Sequence, residues 1–173
     1  MRKMANAGLE IERKYIIKMP DFSLLESQEG YTKSDILQIY LSSENGETHR
    51  IRRRTYADKT ICTETKKIRI DEMSVTEIEG EISSDRFNEL SALAKKDCKP
   101  ITKTRHTFVI CGQLFEIDVY PSWHNTAIME TELTSRDQHV EMPRFIEIVR
   151  EVTGNKAYSN ASMSKEFPTE DHL

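Results

Sequence analysis

The chain has 173 residues, of which 31% are charged and 37% hydrophobic, and its formal net charge is −4. This length suits one domain that buries its own core, so we expect a single domain over 1–173 with a folded core over 9–167. The small net charge excludes a long-range field that would favour nucleic acid or an anionic membrane, so any site for a polyanion must be local.

The first half of the sequence predicts an antiparallel meander of strands joined by turns. A first strand over 9–18 is followed by a short helical turn at 22–25 and a loop at 30–34. Further strands are expected at 36–42, 48–55, 60–70 and 75–82, with a hairpin turn at 43–46 and a polar turn at 71–74.

The second half predicts helices as well as strands. Ser83 or Ser84 caps a helix over 85–96, in which Phe87, Leu90, Leu93 and Ala94 follow helical spacing. Pro143 begins a second predicted helix that ends at Gly154, with its apolar face formed by Phe145, Ile146, Val149 and Val152. The remaining strands are expected at 101–110, 114–120 and 127–134, and the polar tail over 155–173 is expected to be loose at its end.

Charged residues recur at every second position in these strands, where a sheet protein usually places part of its core. Because side chains alternate faces along a strand, each set lies on one face, opposite an apolar set. The sets are Glu10/Glu12/Lys14, Arg50/Arg52/Arg54, Glu64/Lys66, Glu77/Glu79/Glu81, Lys103/Arg105, Glu116/Asp118 and Glu130/Glu132. The pattern predicts one sheet with a charged face and an apolar face, and the two helices can cover part of the apolar face.

A one-sided antiparallel sheet has a polar solvent face in any case, which by itself explains a single pair such as Glu116 and Asp118. A solvated face would mix Thr, Ser, Gln and Lys, however, and like charges on neighbouring strands cost stability. Carboxylates concentrated on several strands are explained by Mg²⁺ or Mn²⁺, which take carboxylate oxygens and remove the repulsion.

Bases on the same strands supply the complementary charge for a phosphate chain. Arg binds phosphate through two parallel hydrogen bonds, and Lys acts as a point charge. The sequence has no Walker A loop and no G-x-G-x-x-G, so we expect phosphate to be held by side chains from strands. The bases are Lys14, Arg50, Arg52, Lys66, Lys103 and Arg105.

The cysteines and the hydropathy point to a compartment. Cys62, Cys98 and Cys111 are widely spaced without a C-x-x-C pair, which argues against a disulfide framework and a zinc site. No segment approaches the ~20 apolar residues needed to cross a bilayer, and the N-terminus lacks the apolar stretch of a signal peptide. We expect a soluble cytoplasmic protein.

A series of ordered motifs strengthens the interpretation of the charged strands. Glu10-x-Glu12-x-Lys14 resembles the ExExK signature of the CYTH superfamily, also called triphosphate tunnel metalloenzymes. The motifs that follow, in the order found in small bacterial members, are Gln38-x-Tyr40-Leu41, Arg50-x-Arg52, Lys66, Glu79-x-Glu81, Lys103-Thr104-Arg105, Glu116-x-Asp118, Glu130-x-Glu132 and Glu151-Val152-Thr153-Gly154-x-Lys156-x-Tyr158-Ser159-Asn160.

The resemblance implies a mainly β, α+β fold in which about eight antiparallel strands close into a β-barrel tunnel with helices packed outside. It also implies hydrolysis of a linear triphosphate with one or two Mg²⁺ or Mn²⁺ ions. Inorganic, thiamine and RNA triphosphatases and class IV adenylate cyclases share this fold, so the fold leaves the substrate open. The similarity to short bacterial members favours inorganic tripolyphosphate.

The resemblance also implies roles for individual residues. Lys14 would lie beside the scissile group, and Tyr40 is a candidate proton acceptor, although a phenol with a pKa near ~10 would need help from nearby cations. Arg50, Arg52, Lys66, Lys103 and Arg105 would bind the phosphates. Glu10, Glu12 and Glu132 would hold the first metal, and Asp118 and Glu130 are candidates for a second metal or the attacking water; Glu79, Glu81, Glu116 and Lys156 are further candidates.

Several alternatives stay open at this point. Glu64 and Glu77 depart from the family pattern: both facing a tunnel would favour a second metal or a shorter anion, whereas either could instead pair with Arg54 or Arg69. The alternative functions are a thiamine or nucleoside triphosphatase, an adenylate cyclase, and a non-catalytic polyphosphate or nucleotide binder. The expected partner is a small-molecule triphosphate, with a homodimer left open and neither membrane nor nucleic acid expected. We expect structural roles for His106, His124 and Trp123.

Overall fold

An antiparallel sheet organises the computed structural model, which describes residues 11–44, 47–69 and 75–170. Glu10, the whole predicted turn at 71–74 and part of that at 43–46 therefore lie outside the described residues. The strands are β1 Ile11–Lys18, β2 Glu29–Leu41, β3 Thr48–Thr55, β4 Thr60–Arg69, β5 Val75–Ile82, β6 Ile101–Ile110, β7 Gln113–Val119, β8 Thr126–Leu133 and β9 Ile148–Glu151. The helices are α1 Phe22–Glu26, α2 Ser84–Ser91 and α3 Asn160–Lys165, with a 3-10 turn at Lys156–Tyr158.

The strands form one sheet in the order β5-β4-β3-β2-β6-β7-β8-β1-β9. The mainly β, antiparallel prediction is confirmed, and so is the meander from β2 to β5. Among the described strands, the hydrogen-bonded order does not return from β9 to β5, so the closed barrel is not confirmed.

The predicted helix after Pro143 is wrong. The chain makes a turn there, in which the amide of Ile146 donates to the carbonyl of Pro143, and then forms β9 against β1. The segment meets a strand edge that needs a partner, because Ile16 and Ile17 of β1 are fully buried. Tertiary pairing with β1 therefore overrides the helical spacing of the apolar residues.

Helix α2 begins where predicted, with the Ser83 side chain accepting from the amide of Arg86 as its N-cap. It ends at Ser91, earlier than predicted, because the next residues pair with the end of β2. Ala94 forms a bridge with Leu41, and the amide of Lys95 donates to the carbonyl of Tyr40 over 2.8 Å.

Apolar clusters cover the face of the sheet opposite the charges. One joins β1, β6, β7 and β8 to α1 and the segment before β9, and includes Tyr15, Leu25, Phe115 and Ile146. Another packs α2, through Phe87 and Leu90, on β2, β3 and β4. These contacts orient the strands so that alternate side chains share the other face, as the sequence predicted for the described sets other than Glu64/Lys66.

The tail is described up to residue 170, so its last residues, which were expected to be loose, lie outside the described residues. Phe167 packs against Tyr120 and Trp123, whose indole donates to the carbonyl of Pro168 over 2.9 Å. The carboxylate of Glu170 accepts hydrogen bonds from the backbone of residues 124–126, which lowers its pKa to about 2. Within the described residues, no helix is long and apolar enough to cross a membrane.

The hairpin between β6 and β7 shows local sequence control of the register. Cys111 and Gly112 both have positive φ, 49° and 76°, which suits a two-residue turn that brings Ile110 opposite Gln113. This register places Arg105 directly across from Asp118 and Thr107 across from Glu116.

Candidate active site

One face of the sheet carries the predicted charges, and much of it is buried. Asp118 is 1% exposed, Lys103 4% and Arg105 8%, values that a flat solvated sheet face would not give. The C-terminal segment covers one end of this face, where Tyr158 and Met163 pack against Ile16 and Ile128. We call the charged side chains of β1 to β8 on this side the inner face.

The densest ion pairing on the inner face surrounds Asp118 of β7. Lys103 Nζ lies 2.5 Å from its Oδ2, while Arg105 donates from Nε and Nη2 over 2.7 and 2.8 Å. Arg105 also binds Glu116. Although burial opposes its charge, the two bases hold the pKa of Asp118 well below its usual range. Burial lowers the pKa of Lys103 to about 8 despite Asp118, and the charge of Arg105 adds to this effect.

The role of Asp118 as a metal ligand stays a prediction. Its oxygens accept hydrogen bonds from three N–H donors, so its position also suits holding Lys103 and Arg105 in place. The predicted phosphate ligands Lys103 and Arg105 are thereby brought together on β6, next to β2.

Arg50 and Arg52 of β3 form the second group of bases. The Nε of Arg50 is buried without a hydrogen-bond partner in the described part of the chain. The Nη2 of Arg50 lies 3.8 Å from a carboxylate oxygen of Glu77 and 4.0 Å from one of Glu79. Arg52 donates to Gln38 over a long 3.4 Å and, among the described residues, pairs with no carboxylate. Burial and the charges of Arg50 and Arg105 lower the pKa of Arg52 to about 10.

Lys14 links β1 to both β8 and the C-terminal segment. Its Nζ lies 2.8 Å from Glu130 and 3.4 Å from Glu12, and it donates to the carbonyl of Tyr158 over 3.3 Å. Burial opposes its charge, but the two carboxylates outweigh burial and raise the pKa of Lys14. The predicted catalytic residues Lys14 and Glu130 therefore form one ion pair.

Glu12 and Glu132 are direct partners across β1 and β8, and both are exposed. They are the predicted metal ligands that face solvent, while Glu10 lies outside the described residues. No group of three or more His, Cys, Asp or Glu side chains that could hold a metal is found in residues 11–44, 47–69 and 75–170. Two facing carboxylates nevertheless suit Mg²⁺, which is commonly bound through one or two carboxylates together with substrate phosphates.

The structure does not bring Lys66 to the inner face. The register of β4 with β3 pairs Lys66 with His49 and Lys67 with Thr48, so Lys67 shares the face of Arg50. Lys66 is exposed, whereas Lys67 Nζ lies 2.7 Å from Glu77 on the inner face. The sequence pattern did not indicate Lys67, because Glu64 and Lys66 were assigned to the charged face. Cys62 could have indicated the correct face, since it shares the face of Lys66 and lies in the apolar core against α2.

Glu64 and Glu77, whose faces the sequence left undecided, lie on opposite faces of the sheet. Glu64 lies on the outer face and contacts His49 Nε2 at 2.7 Å. Glu77 lies on the inner face with Glu79 and Glu81, where Glu79 accepts from Thr65 over 2.6 Å. The inner face therefore receives the β5 carboxylates and not Glu64.

The other singled-out residues lie outside the charge cluster. His106 is buried, with its Nδ1 3.0 Å from the Tyr31 hydroxyl, and Trp123 packs in the aromatic cluster of the tail. The side chain of His124 is exposed. Lys156 is exposed in the 3-10 turn, and a direct phosphate role for it stays a prediction.

Comparison with known proteins gives structural likeness only. No family model and no curated protein matches the sequence. The crystal structure of the inorganic triphosphatase NE1496 matches with 25% identity over 95% of this chain and 99% of that chain, at a TM-score of 0.61. A second crystal structure, of the hypothetical protein NE1496, matches with 25% identity over 92% of this chain and 99% of that chain, at a TM-score of 0.58. The ordered motifs, the charged antiparallel sheet and this likeness over nearly the whole chain agree with the resemblance to the CYTH superfamily.

Proposed function

We propose that the protein is a metal-dependent hydrolase that cleaves a phosphoanhydride bond of inorganic tripolyphosphate on the inner face. The likeness to the inorganic triphosphatase NE1496 over 95% of the chain supports this reaction class. The charge distribution supports an elongated anion, because bases occupy the strands β3 and β6 on either side of β2.

Arg52 is the observation that carries the proposal. It is a half-buried guanidinium beside Arg50 and close enough to Arg105 for both charges to lower its pKa. Grouped bases with too few carboxylates cost stability unless an anion neutralises them. A triphosphate offers the needed charge, and each Arg can bind it through two hydrogen bonds.

In this proposal, the described residues have different roles in binding and hydrolysis. Arg50 and Arg52 bind phosphate oxygens from β3, and Lys103 and Arg105, held by Asp118, bind them from β6. Lys14 neutralises charge at the bond that breaks, since it can exchange its contact with Glu130 for a phosphate oxygen. Glu130, once released by Lys14, is a candidate to accept a proton from the attacking water.

The metal belongs to this proposal as well. Glu12 and Glu132 would hold Mg²⁺ or Mn²⁺ together with substrate oxygens, and a second ion remains open. When bound, such an ion withdraws charge from the phosphoryl group as the bond breaks. A cytoplasmic location is also part of the proposal, since the free cysteines suit a reducing compartment.

The test is phosphate release from tripolyphosphate, with pyrophosphate, ATP and thiamine triphosphate in parallel, each with Mg²⁺, Mn²⁺ or EDTA. Release from tripolyphosphate that greatly exceeds the others and stops in EDTA supports the proposal. Preference for an organic triphosphate would make the protein a different triphosphate enzyme. Binding of tripolyphosphate without turnover would make it a polyphosphate-binding protein.

A further inference from the structure

Gln38 is a neutral side chain at the centre of the bases. It lies on β2 with 0% exposure, between the strands that carry Arg52 and Lys103. Its amide makes two contacts: Arg52 Nε lies 3.4 Å from Oε1, and Nε2 lies 2.8 Å from the hydroxyl of Tyr40. A fully buried amide in this place must have an orientation that suits both neighbours.

The chemistry of Arg52 fixes that orientation. A guanidinium only donates hydrogen bonds, so the amide oxygen of Gln38 must face Arg52 and the amide NH₂ must face Tyr40. The Tyr40 oxygen is therefore an acceptor in this contact. Arg50, the register partner of Tyr40 on β3, and Arg52 are its other charged neighbours, and both are pure donors.

The hydroxyl proton of Tyr40 consequently has no acceptor among these neighbours. In the described part of the chain, its O–H has no acceptor at hydrogen-bond distance, and neither has the buried Nε–H of the adjacent Arg50. Burial outweighs the nearby cations and raises the pKa of Tyr40 above the ordinary phenol value, so the proton stays on the oxygen at neutral pH. Two buried donors without acceptors on one face call for an anionic oxygen.

We propose that Gln38 is a positioning residue that makes Tyr40 a hydrogen-bond donor to a phosphate oxygen of the triphosphate. Tyr40 then does not act as the proton acceptor that the family resemblance suggested. This inference rests on the proposed function, since it names how that site recognises the triphosphate. It gives the neutral residues Gln38 and Tyr40 a part in binding the triphosphate. An account based on charge alone would give that part to the bases.

The test combines Tyr40→Phe, Gln38→Glu and the double variant, assayed with tripolyphosphate and the metal. Glu has the shape of Gln but offers only acceptors when ionised, so Tyr40 would donate to it and not to the substrate. We expect Tyr40→Phe to raise KM about 10-fold with kcat nearly unchanged, as for a bond present in both the bound substrate and the transition state. Thermal unfolding of each variant monitors the fold, and Gln38→Met serves if Gln38→Glu does not fold.

The double variant separates positioning from charge. The negative charge of Gln38→Glu weakens anion binding in any background, and this part of its effect persists when Tyr40 is already Phe. We expect a further loss of about 10-fold only where Tyr40 is present. Equal effects of Gln38→Glu, or of Gln38→Met, in both backgrounds would overturn the role of Gln38.

The pH profile separates a donor from a proton acceptor. For a donor, Tyr40→Phe lowers kcat/KM by a constant factor across neutral and mildly alkaline pH. For an acceptor, the wild type would gain activity as the phenol ionises, and Tyr40→Phe would abolish that gain and lower kcat. The second result overturns the inference while leaving tripolyphosphate hydrolysis intact.

Absence of turnover by the wild type would instead contradict the proposed function. Calorimetric binding of tripolyphosphate then still tests the donor, since Tyr40→Phe should weaken binding about 10-fold. Unchanged binding, or no binding by the wild type, would overturn the inference together with the function.

Discussion

Arg52 shows at the scale of one residue why we propose that the inner face binds an anion. Its guanidinium has a long contact to Gln38 and the repulsion of Arg50 and Arg105 around it. We expect Arg52→Ala to weaken tripolyphosphate binding by about 1.5 to 3 kcal/mol, seen as a rise in KM. Arg53→Ala is the matched control, because Arg53 lies on the outer face over the Phe87 ring. Equal KM values for the two variants would remove Arg52 from the site.

We expect Lys103 to give the site a pH dependence. Its pKa in the folded protein is about 8, below the ordinary lysine value of 10.5, because burial outweighs the attraction of Asp118. The ammonium is therefore present below about pH 8 and is lost as the pH rises through that value. We expect kcat/KM for tripolyphosphate to fall across this range in the wild type.

Lys103→Met provides the comparison for this pH profile. This variant should have low kcat/KM at neutral pH. Its profile should lack the additional fall near pH 8 that Lys103 causes in the wild type. Ionisation of the substrate affects both proteins equally, so the difference between their profiles isolates Lys103. Parallel profiles would contradict the assignment.

The residue types of the site could be predicted from the sequence, but their partners could not. Alternation along strands placed Arg50, Arg52, Lys103 and Arg105 on one face. The capture of Asp118 by two bases depends on the register between β6 and β7, which a single strand does not encode.

At the scale of the element, β4 shows that a shift of one residue in register changes which side chain lies on the inner face. The family pattern assigned Lys66 to phosphate, yet the register with β3 brings Lys67 to the inner face. We expect Lys67→Met to raise KM for tripolyphosphate severalfold and Lys66→Met to leave it unchanged, since only Lys67 lies with Arg50 and Glu77. The reverse order of effects would show that β4 pairs one residue out of this register.

Helix α2 stabilises the sheet from outside. Phe87 is 1% exposed among residues of β2, β3 and β4, whereas Leu93, just beyond the helix, is 60% exposed. We expect Phe87→Ala to lower the free energy of unfolding by about 3 to 5 kcal/mol, and Leu93→Ala to change it little. Denaturant unfolding of both variants measures the difference. A small effect of Phe87→Ala would mean that α2 contributes little to the core.

The segment before the tail shows the limit of periodicity. Phe145, Ile146, Val149 and Val152 fit one face of a helix, yet Ile148–Glu151 form β9. Helical spacing describes only the segment itself, whereas β9 depends on the edge of β1, which lies far away in the sequence.

At the scale of the whole molecule, the charged sheet could be predicted from the sequence, whereas the expected closure into a barrel is not confirmed. Alternating charges predict an antiparallel sheet with one charged face, and the nine-stranded order confirms the sheet. The described strands end at β5 and β9 without pairing to each other, while side chains and the C-terminal segment bury much of the inner face. Enclosure depends on curvature and on packing across distant strands, which local patterns do not specify.

The most direct test of metal-dependent hydrolysis on this face compares the wild type with Glu132→Gln and Glu12→Gln. Phosphate release from tripolyphosphate is measured while Mg²⁺ or Mn²⁺ is raised from an EDTA-treated start. We predict metal-dependent release by the wild type and loss of turnover in both variants, with weaker Mn²⁺ binding in the presence of tripolyphosphate and an unchanged unfolding transition. Release that persists in EDTA, or full activity in either variant, would contradict the account.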